Sequence, residues 1–340
     1  MTALRHPVLF WSGLALLLAG LTLYALAAGR YPVPPARVVA ILSAGLFDTA
    51  RTWSPTEQMV VLVVRLPRVL MAITTGAGLA LCGAALQGVF RNPLVGPQTI
   101  GLSAGASLGG VAAILAWGFG PGVTVGAFAG AAGALAAVLA MQPRGRVAPV
   151  LTLVLAGIVI GAFCSALVGF ITFIADPETK LPALVFWLLG SLATAGWPGL
   201  ALAAACTLAA GAIVLAMRWR INLLSLGDDE ARALGCAPGR DRLILLTAIC
   251  IIVAAQVAVS GVIGWVGLVV PNLARLLVGA DHRRLLPASV LIGAAFMLVA
   301  DTLARDLTAA EIPVGIVTAV VGTPVFALLL HRAAARGRAA

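Results

Sequence analysis

Charged side chains are scarce in this chain of 340 residues: only 10% are Asp, Glu, Lys or Arg, whereas 61% are hydrophobic. A soluble domain needs more polar surface than this, so the composition excludes one. The apolar runs extend over about 17–25 residues, and they do not alternate with polar positions over about 10 residues as the strands of a membrane barrel do. Because a backbone in hydrocarbon must satisfy its own hydrogen bonds, these runs predict an all-α polytopic membrane protein.

Lysine is nearly absent, and its position excludes a nucleotide site. The single lysine, Lys180, lies in the stretch DPETKLP, which has no glycine-rich approach and no Ser or Thr after the lysine. No phosphate-binding P-loop can form there, so we expect a protein that is not an enzyme and does not hydrolyse ATP itself. Ion-coupled carriers hold ionisable groups deep in the membrane, and here Asp301 is the main candidate. The pattern disfavours an ion-coupled secondary carrier acting without an ATPase, which remains the alternative function.

Patterns for metal and nucleic-acid binding are missing as well. The five cysteines have no CxxC spacing, and all except Cys236 lie in apolar runs, which is typical of small packing residues. We therefore expect no metal site and no cofactor. The net charge of +10 does not predict a nucleic-acid partner, because the arginines stand at the ends of apolar runs, where they report membrane orientation.

What the chain has in abundance is apolar helix. Windows of about 19 residues predict ten spans. They lie near residues 8–28, 66–88, 99–117, 121–141, 149–174, 198–217, 243–263, 264–279, 286–304 and 312–330. Two regions are ambiguous, because 181–196 is short for a span and 243–279 fits one long span with a re-entrant segment. The first run is too long for a signal-peptide core, so it predicts a retained span.

The distribution of basic residues predicts the orientation in the bilayer. With both termini in the cytoplasm, most of the 22 basic residues fall in cytoplasmic segments. The exterior segments keep Arg30, Arg37, Arg51, Arg65, Arg68, Lys180 and Arg305. This bias predicts an N-in, C-in arrangement. Residues 29–60 then form the longest exterior loop, in which 34–47 predicts a proline-started helix on the membrane surface.

The longest strongly polar interval is 218–242, with the sequence RWRINLLSLGDDEARALGCAPGRDR. Its apolar residues recur at helical spacing, and glycines and a Pro-Gly pair divide it into two short helices. The resulting apolar stripe consists of Leu223, Leu226, Ala231 and Leu234. Two interpretations fit this loop: a docking surface for a soluble partner, or an amphipathic segment lying on lipid headgroups.

Three further stretches complete a pattern: RLPRVLMAITTGAGLALCGAALQGVFRNPLVGPQTIGLSAGASLG (65–109), GVIGWVGLVVPNLARLLVGADHRRLLP (261–287) and ADTLARDLTAAEIPVGIVTAVVGTPVFALLL (300–330). Together with 218–242, they resemble the permease of the type II ABC importers that take up ferric siderophores, haem or cobalamin, over roughly residues 8–332. The resemblance implies one transmembrane domain with the type II ABC importer permease fold. It also implies transport of an iron chelate or a cobalamin-like solute from the periplasm across the bacterial inner membrane.

The same resemblance implies the partners. Two copies of a separate ABC ATPase subunit hydrolyse ATP, a periplasmic substrate-binding protein delivers the solute, and two copies of the permease enclose the pathway. The loop 218–242 then becomes the ATPase-coupling element, whose movement alters the gate. Leu226 and Leu234 provide its apolar seat. Its polar contacts are made by Asp228, Asp229, Glu230 and Arg232.

The motif RLPR places Arg65 and Arg68 on one side of the first turn of the predicted second span. Cations at a helix N-terminus oppose the helix dipole at a cost of about a few tenths of a kcal/mol, which suggests another use for them. The resemblance implies that Arg65, Arg68 and Arg305 dock the periplasmic binding protein through its glutamates. The alternatives are anchoring to lipid phosphates and, for Arg305, internal pairing with Asp301 or Asp306.

The resemblance also implies a translocation pathway lined by the second and fifth spans. Its small residues are Thr74, Thr75, Gly161 and Ser165. Ordinary helix packing accounts for the same residues. Asn92 in RNPL and Asn272 in VPNL stand beside prolines near the predicted cytoplasmic ends of two spans, where they either make turns or contact the solute.

Overall fold

The described part of the chain is built from helices and their connections. The computed structural model describes residues 7–44, 51–142, 150–308 and 310–337, and no strand occurs in them. The helices are α1 (Pro7–Ala27), α2 (Pro35–Ser43), α3 (Pro55–Met59), α4 (Leu66–Val89), α5 (Leu102–Trp117), α6 (Pro121–Ala140), α7 (Val150–Ile174), α8 (Leu181–Leu188), α9 (Trp197–Ala216), α10 (Arg218–Leu224), α11 (Asp228–Ala233), α12 (Pro238–Ser260), α13 (Val266–Val278), α14 (His282–Asp306) and α15 (Val314–Gly337). A π-helical segment, Val60–Arg65, joins α3 to α4.

Ten apolar helices account for the membrane-spanning character of the described residues. Seven are long and apolar enough to cross a bilayer: α1, the continuous helix Pro55–Val89, α6, α7, α9, α12 and α14. Three are shorter: α5, α13 and the part of α15 from Val314 to Leu329. This architecture confirms the prediction of an all-α polytopic membrane protein.

The second long helix begins well before the predicted position near residue 66. Ser54 and Glu57 form a capping box, in which the Ser54 hydroxyl accepts from the Glu57 N–H at 3.2 Å and Glu57 Oε2 accepts from the Ser54 N–H at 2.8 Å. The helix then continues from Pro55 to Val89. Arg65 and Arg68 therefore lie in its interior, and the argument that they oppose a helix N-terminus was wrong.

The two ambiguous regions have clear structures. Residues 181–196 contain only the short helix α8, followed by irregular chain. The region 243–279 is divided between α12 and α13, because the backbone turns sharply at Gly261 (φ 66°) and at Trp265 (φ 68°). Pro271 lies inside α13 and not at its end, so the prediction that VPNL marks a helix end was wrong. The predicted surface helix at 34–47 corresponds to α2, and residues 45–47 lie outside the described part.

The centre of the bundle is α4, which packs against α13 and α14 through glycines. A Cβ built on Gly76 would lie 2.1 Å from the carbonyl oxygen of Gly293 on α14, and one built on Gly83 would lie 1.7 Å from that of Gly267 on α13. Only residues without a side chain allow backbones to approach so closely. The helix Pro55–Val89 is consequently the most buried of the long helices.

The helix α7 lies at the periphery. Its side chains Phe163, Phe170 and Phe173 are exposed in the single chain, and Phe173 retains 86% of its accessible surface. Such an apolar face needs lipid or another protein surface to cover it.

The helices α4 and α14 run antiparallel and pack together along their length. Arg68 of α4 meets Asp301 of α14 at one end, and Gly88 of α4 meets His282 of α14 at the other. At a rise of 1.5 Å per residue, these contacts are about 30 Å apart, which is the thickness of a bilayer core.

Candidate functional site

Arg65 is fixed to the end of α1. Its guanidinium donates hydrogen bonds to the carbonyl oxygens of Leu26 at 2.8 Å and Ala27 at 3.1 Å, and to that of Tyr31 at 2.6 Å. The first two carbonyls belong to the last turn of α1, which has no helical partner for them. A cation at a helix C-terminus is favoured by the helix dipole, so Arg65 stabilises the junction between α1 and the second long helix.

Arg68 and Arg305 share one buried carboxylate. Arg68 Nε donates to Asp301 Oδ1 at 2.9 Å, and its Nη1 donates to Glu311 Oε2 at 2.8 Å. Arg305 Nε lies 3.4 Å from Asp301 Oδ2, and its Nη2 donates to the carbonyl oxygen of Ala25 at 3.1 Å. The internal pairing of Arg305 with Asp301, one of the open interpretations, is confirmed.

We call Arg65, Arg68 and Arg305 the arginine cluster. They border one cavity of about 230 Å³, so the structure brings the three predicted docking residues together. Their exposures are only 5%, 8% and 8%, and each has internal partners. Such burial limits contact with lipid phosphates and with a binding protein alike. Docking of a binding protein stays a prediction.

The coupling loop, residues 218–242, folds as the two predicted short helices, α10 and α11. Gly227 (φ 145°) separates them and Gly235 (φ 83°) ends the second, in conformations that side chains disfavour. The predicted apolar stripe is buried in one part and exposed in another. Ala231 is buried, whereas Leu226 and Leu234 are 58% and 57% exposed. The two leucines together form an uncovered apolar surface on the loop.

The acidic residues of the coupling loop have different surroundings. Asp228 accepts both Nη groups of Arg242, one of them at 2.9 Å, and Arg242 is buried. Asp229 is exposed and pairs only with Arg232 at 2.6 Å, one helical turn away. Asp228 thus has a partner inside the loop, whereas Asp229 and Arg232 are accessible.

Asn222 attaches the coupling loop to the start of α14. The Asn222 side chain donates to Asp281 Oδ1 at 2.7 Å and accepts from the backbone N–H of His282 at 2.9 Å. Burial raises the pKa of Asp281, but hydrogen bonds from the Arg283 N–H and from Asn222, with the charges of the neighbouring arginines, lower it below its ordinary value overall. This junction fixes the loop to the start of α14.

The coupling loop also lies near the RNPL turn. A Cβ built on Gly227 would lie 3.7 Å from Nη1 of Arg91 and 2.1 Å from Oε2 of Glu230, so Gly227 leaves room between the loop and the chain that follows α4. Sequence reasoning did not single out Arg91, although its position in the RNPL motif was available.

Two of the predicted pathway residues line a cavity. Gly161 and Ser165 of α7 border a cavity of about 420 Å³. Its other polar lining comes from Gln98, Thr99, Ser103 and Ser107. Gln98 also borders a second cavity of about 200 Å³ beside Trp265. Gln98 was not predicted from the sequence, although it is a polar residue in the motif GPQT shortly before α5.

The other two predicted pathway residues lie elsewhere. Thr75 is fully buried, and its hydroxyl donates to Gln256 Oε1 at 2.7 Å, while Gln256 Nε2 donates to Thr207 at 2.8 Å. Thr74 is half-buried and bonds to the carbonyl oxygen of Leu70 in its own helix at 2.8 Å. A fully buried side chain cannot line a passage between two copies, so packing accounts for Thr75 and its assignment to the pathway is corrected.

The two asparagines beside prolines stabilise the RNPL turn. Asn92 Oδ1 accepts from the Leu94 N–H at 2.9 Å, which is the local bond expected of a turn-forming residue. The Asn272 amide donates to the carbonyl oxygens of Pro93 at 3.1 Å and Leu268 at 2.8 Å. Asn272 therefore ties α13 to the turn after α4; the turn-making interpretation fits Asn92, whereas Asn272 lies inside a helix.

Known proteins are similar to this chain in sequence and in fold. A profile described as the FecCD transport family matches residues 16–332. The molybdate import system permease protein MolB of Haemophilus influenzae is 44% identical over 323 residues, which cover 94% of each chain. The hemin transport system permease protein HmuU of Yersinia pestis is 43% identical over 276 residues, covering 79% of this chain and 82% of that protein. A solved metal-chelate type ABC transporter in an inward-facing conformation superposes with a TM-score of 0.85 at 41% identity, covering 95% of this chain and 99% of that chain.

Proposed function

From the premise that this chain belongs to the FecCD transport family and is the permease of an ABC importer, we propose that it carries an iron chelate into the cytoplasm while a separate subunit hydrolyses ATP. The family and the type II ABC importer permease fold are as predicted from the sequence. The proposed solute is haem or a ferric siderophore in preference to cobalamin.

The observation that carries the proposal is the coupling loop. It is tied to the bundle through Asn222, yet Leu226 and Leu234 project from it without cover. Exposed apolar residues on a water-facing loop are unfavourable unless a partner covers them. The proposed partner is an ABC ATPase subunit, present in two copies, with a cleft in which the coupling loop docks. Contact with lipid headgroups, the other interpretation of the loop, predicts no effect of these leucines on ATP hydrolysis.

A second copy of the chain is proposed to complete the pathway in the bacterial inner membrane. The exposed phenylalanines of α7 supply an apolar face, and Gly161 and Ser165 on the same helix border the 420 Å³ cavity. A homodimer that covers α7 would enclose this polar, uncharged cavity between the two copies.

The periplasmic binding protein is proposed to dock at the arginine cluster, at the end of α4 opposite the coupling loop. Charge reversal at both Arg65 and Arg68 is expected to weaken its association and to reduce the salt sensitivity of binding. Because both arginines also have internal partners, thermal unfolding of the variant is measured alongside. A folded variant with unchanged salt dependence would remove them from the interface.

A second candidate solute is molybdate. It is favoured by one specific observation, the 44% identity to a molybdate permease across 94% of both chains. The carried solute is identified by binding assays with the periplasmic protein encoded alongside the permease, using ferric siderophores, haem, cobalamin and molybdate as probes.

Uptake in proteoliposomes tests the function itself. We expect uptake only when the ATPase subunit and ATP are both present, with the binding protein on the opposite side. The alternative, an ion-coupled secondary carrier, predicts uptake by this chain alone under a proton or sodium gradient, and that result would refute the proposal.

A further inference from the structure

The coupling-loop end of the bundle contains a cavity, lined by both apolar and polar residues, that none of the transport roles above uses. Its volume is about 440 Å³, and it lies between the end of α4, the RNPL turn and the second half of α13. Its polar lining consists of Gln87, Arg91, Asn92, Ser225, Asn272, Arg275 and His282. Two of these seven side chains are arginines, and none is acidic.

Arg275 faces this cavity without a carboxylate partner. Its Nη1 donates to Asn272 Oδ1 at 2.8 Å, and its Nη2 donates to Gln87 Oε1 at 2.8 Å. Both acceptors are neutral amides, and among the described residues no acid forms an ion pair with it. A half-buried charge held in a fixed orientation by neutral groups is costly unless an anion compensates it.

Arg91 supplies a second guanidinium at the same cavity; it is exposed, and the Glu230 carboxylate lies near it. Its side chain makes no hydrogen bond or ion pair with the described part of the chain. Glu230, across Gly227, is not within ion-pair distance of it. The Arg91 backbone has φ 52°, the left-handed conformation common after a helix C-terminus, where the Asn92 N–H donates to the Gln87 carbonyl oxygen at 3.1 Å and the Arg91 N–H donates to that of Gly88 at 3.3 Å.

Among the described residues, Arg275 is thus left without a carboxylate partner, and an anion bound in the cavity would compensate its charge.

We propose that this cavity binds a phosphate-type oxyanion. Guanidinium groups donate paired hydrogen bonds whose geometry matches tetrahedral oxyanions, so Arg275 and Arg91 are the charged donors. The Asn92 amide nitrogen is a neutral donor, because its own oxygen is already used by Leu94. Leu276 borders the cavity as an apolar edge, so the oxyanion is either free phosphate or the headgroup of an anionic phospholipid.

Isothermal titration of the purified full chain with inorganic phosphate tests the site. We expect saturable binding by the wild type and at least about tenfold weaker binding by Arg275→Gln, since charge-assisted hydrogen bonds are lost. Arg91→Gln is expected to weaken binding as well. Because Arg91 is exposed, this variant should fold even if Arg275→Gln does not. The matched control Arg284→Gln, an exposed arginine outside the cavity, changes affinity by less than about twofold.

Nanodiscs distinguish the two sources of the oxyanion. If discs with phosphatidylglycerol abolish phosphate binding that is present in phosphatidylcholine discs, the lipid headgroup occupies the site, and Arg275→Gln or Arg91→Gln should release that lipid in native mass spectrometry. Equal phosphate binding in both discs identifies a free anion. The proposal is overturned if the folded wild type shows neither saturable phosphate binding nor arginine-dependent retention of phosphatidylglycerol.

Discussion

At the scale of single residues, Asp301 is the side chain on which the end of the bundle near the arginine cluster depends. It is 1% exposed and accepts from Arg68 while lying beside Arg305. Removing one partner of a buried ion pair leaves the remaining charge desolvated and unpaired. Asp301 therefore has a structural role in one copy of the chain.

Replacement of this carboxylate gives the first prediction. Asp301→Asn should lower the free energy of unfolding in detergent by about 3–5 kcal/mol, because buried Arg305 loses its carboxylate partner and Arg68 keeps only Glu311. The control Glu311→Gln removes a half-exposed partner of Arg68 and should cost at most about 1 kcal/mol. Equal stability of Asp301→Asn and the wild type in chemical unfolding would contradict the buried network.

A second prediction concerns the closest backbone approach of α4. Gly83→Ala places a methyl group against the carbonyl oxygen of Gly267, so we expect a loss of about 1–3 kcal/mol from overpacking. Gly133→Ala in α6 meets no atom within 4 Å and should be neutral or stabilising by at most about 1 kcal/mol. Similar thermal unfolding curves for the two variants would show that α4 and α13 are not so closely packed.

Sequence reasoning reached some residue contacts and missed others for a physical reason. The spacing of Asp301 and Arg305 by four residues in one helix makes their pairing foreseeable. The partners of Arg65 are carbonyl oxygens nearly forty residues earlier in the chain, and carbonyl oxygens carry no sequence signal. The pair Asp228 and Arg242 closes a tertiary contact across the coupling loop that helical periodicity does not reveal.

At the scale of elements, the coupling loop is where the sequence was most informative. Gly227, Gly235 and Pro238 divide it as observed, because glycine and proline restrict the backbone locally. The start of the second long helix was missed because Arg65 and Arg68 interrupt the apolar window. The capping box at Ser54 and Glu57 was the local signal that could have found it.

Variants of the two neighbouring aspartates of α11 can test the folding of the loop separately from its proposed coupling role. Asp228→Ala should destabilise the chain by about 1–3 kcal/mol, since buried Arg242 loses its acceptor. Asp229→Arg should change stability by at most about 1 kcal/mol, because Asp229 is exposed, and yet it should uncouple ATP hydrolysis from uptake. The checks are thermal unfolding and hydrolysis-coupled uptake on the same preparations. Wild-type coupling in Asp229→Arg would exclude α11 from the ATPase contact.

At the scale of the whole molecule, hydropathy was sufficient to predict ten apolar helices, because a bilayer fixes both their length and their composition. The relative packing of those helices depends on glycine contacts between distant segments, so the burial of Thr75 could not be foreseen. The solute was not predictable either, because the described cavity at Gly161 and Ser165 is lined by neutral residues that suit many ligands.

The central claim is that the coupling loop transmits ATP hydrolysis by a separate subunit to a pathway in this chain. The most direct measurement is the amount of solute taken up per ATP hydrolysed in proteoliposomes, compared between Leu226→Asp and the control Ala237→Asp. The control adds the same charge to the same loop, at an exposed position before α12 where Asp is a favourable helix cap. We predict that Leu226→Asp hydrolyses ATP with little or no uptake, whereas Ala237→Asp retains the wild-type ratio. A wild-type ratio in Leu226→Asp would contradict the account.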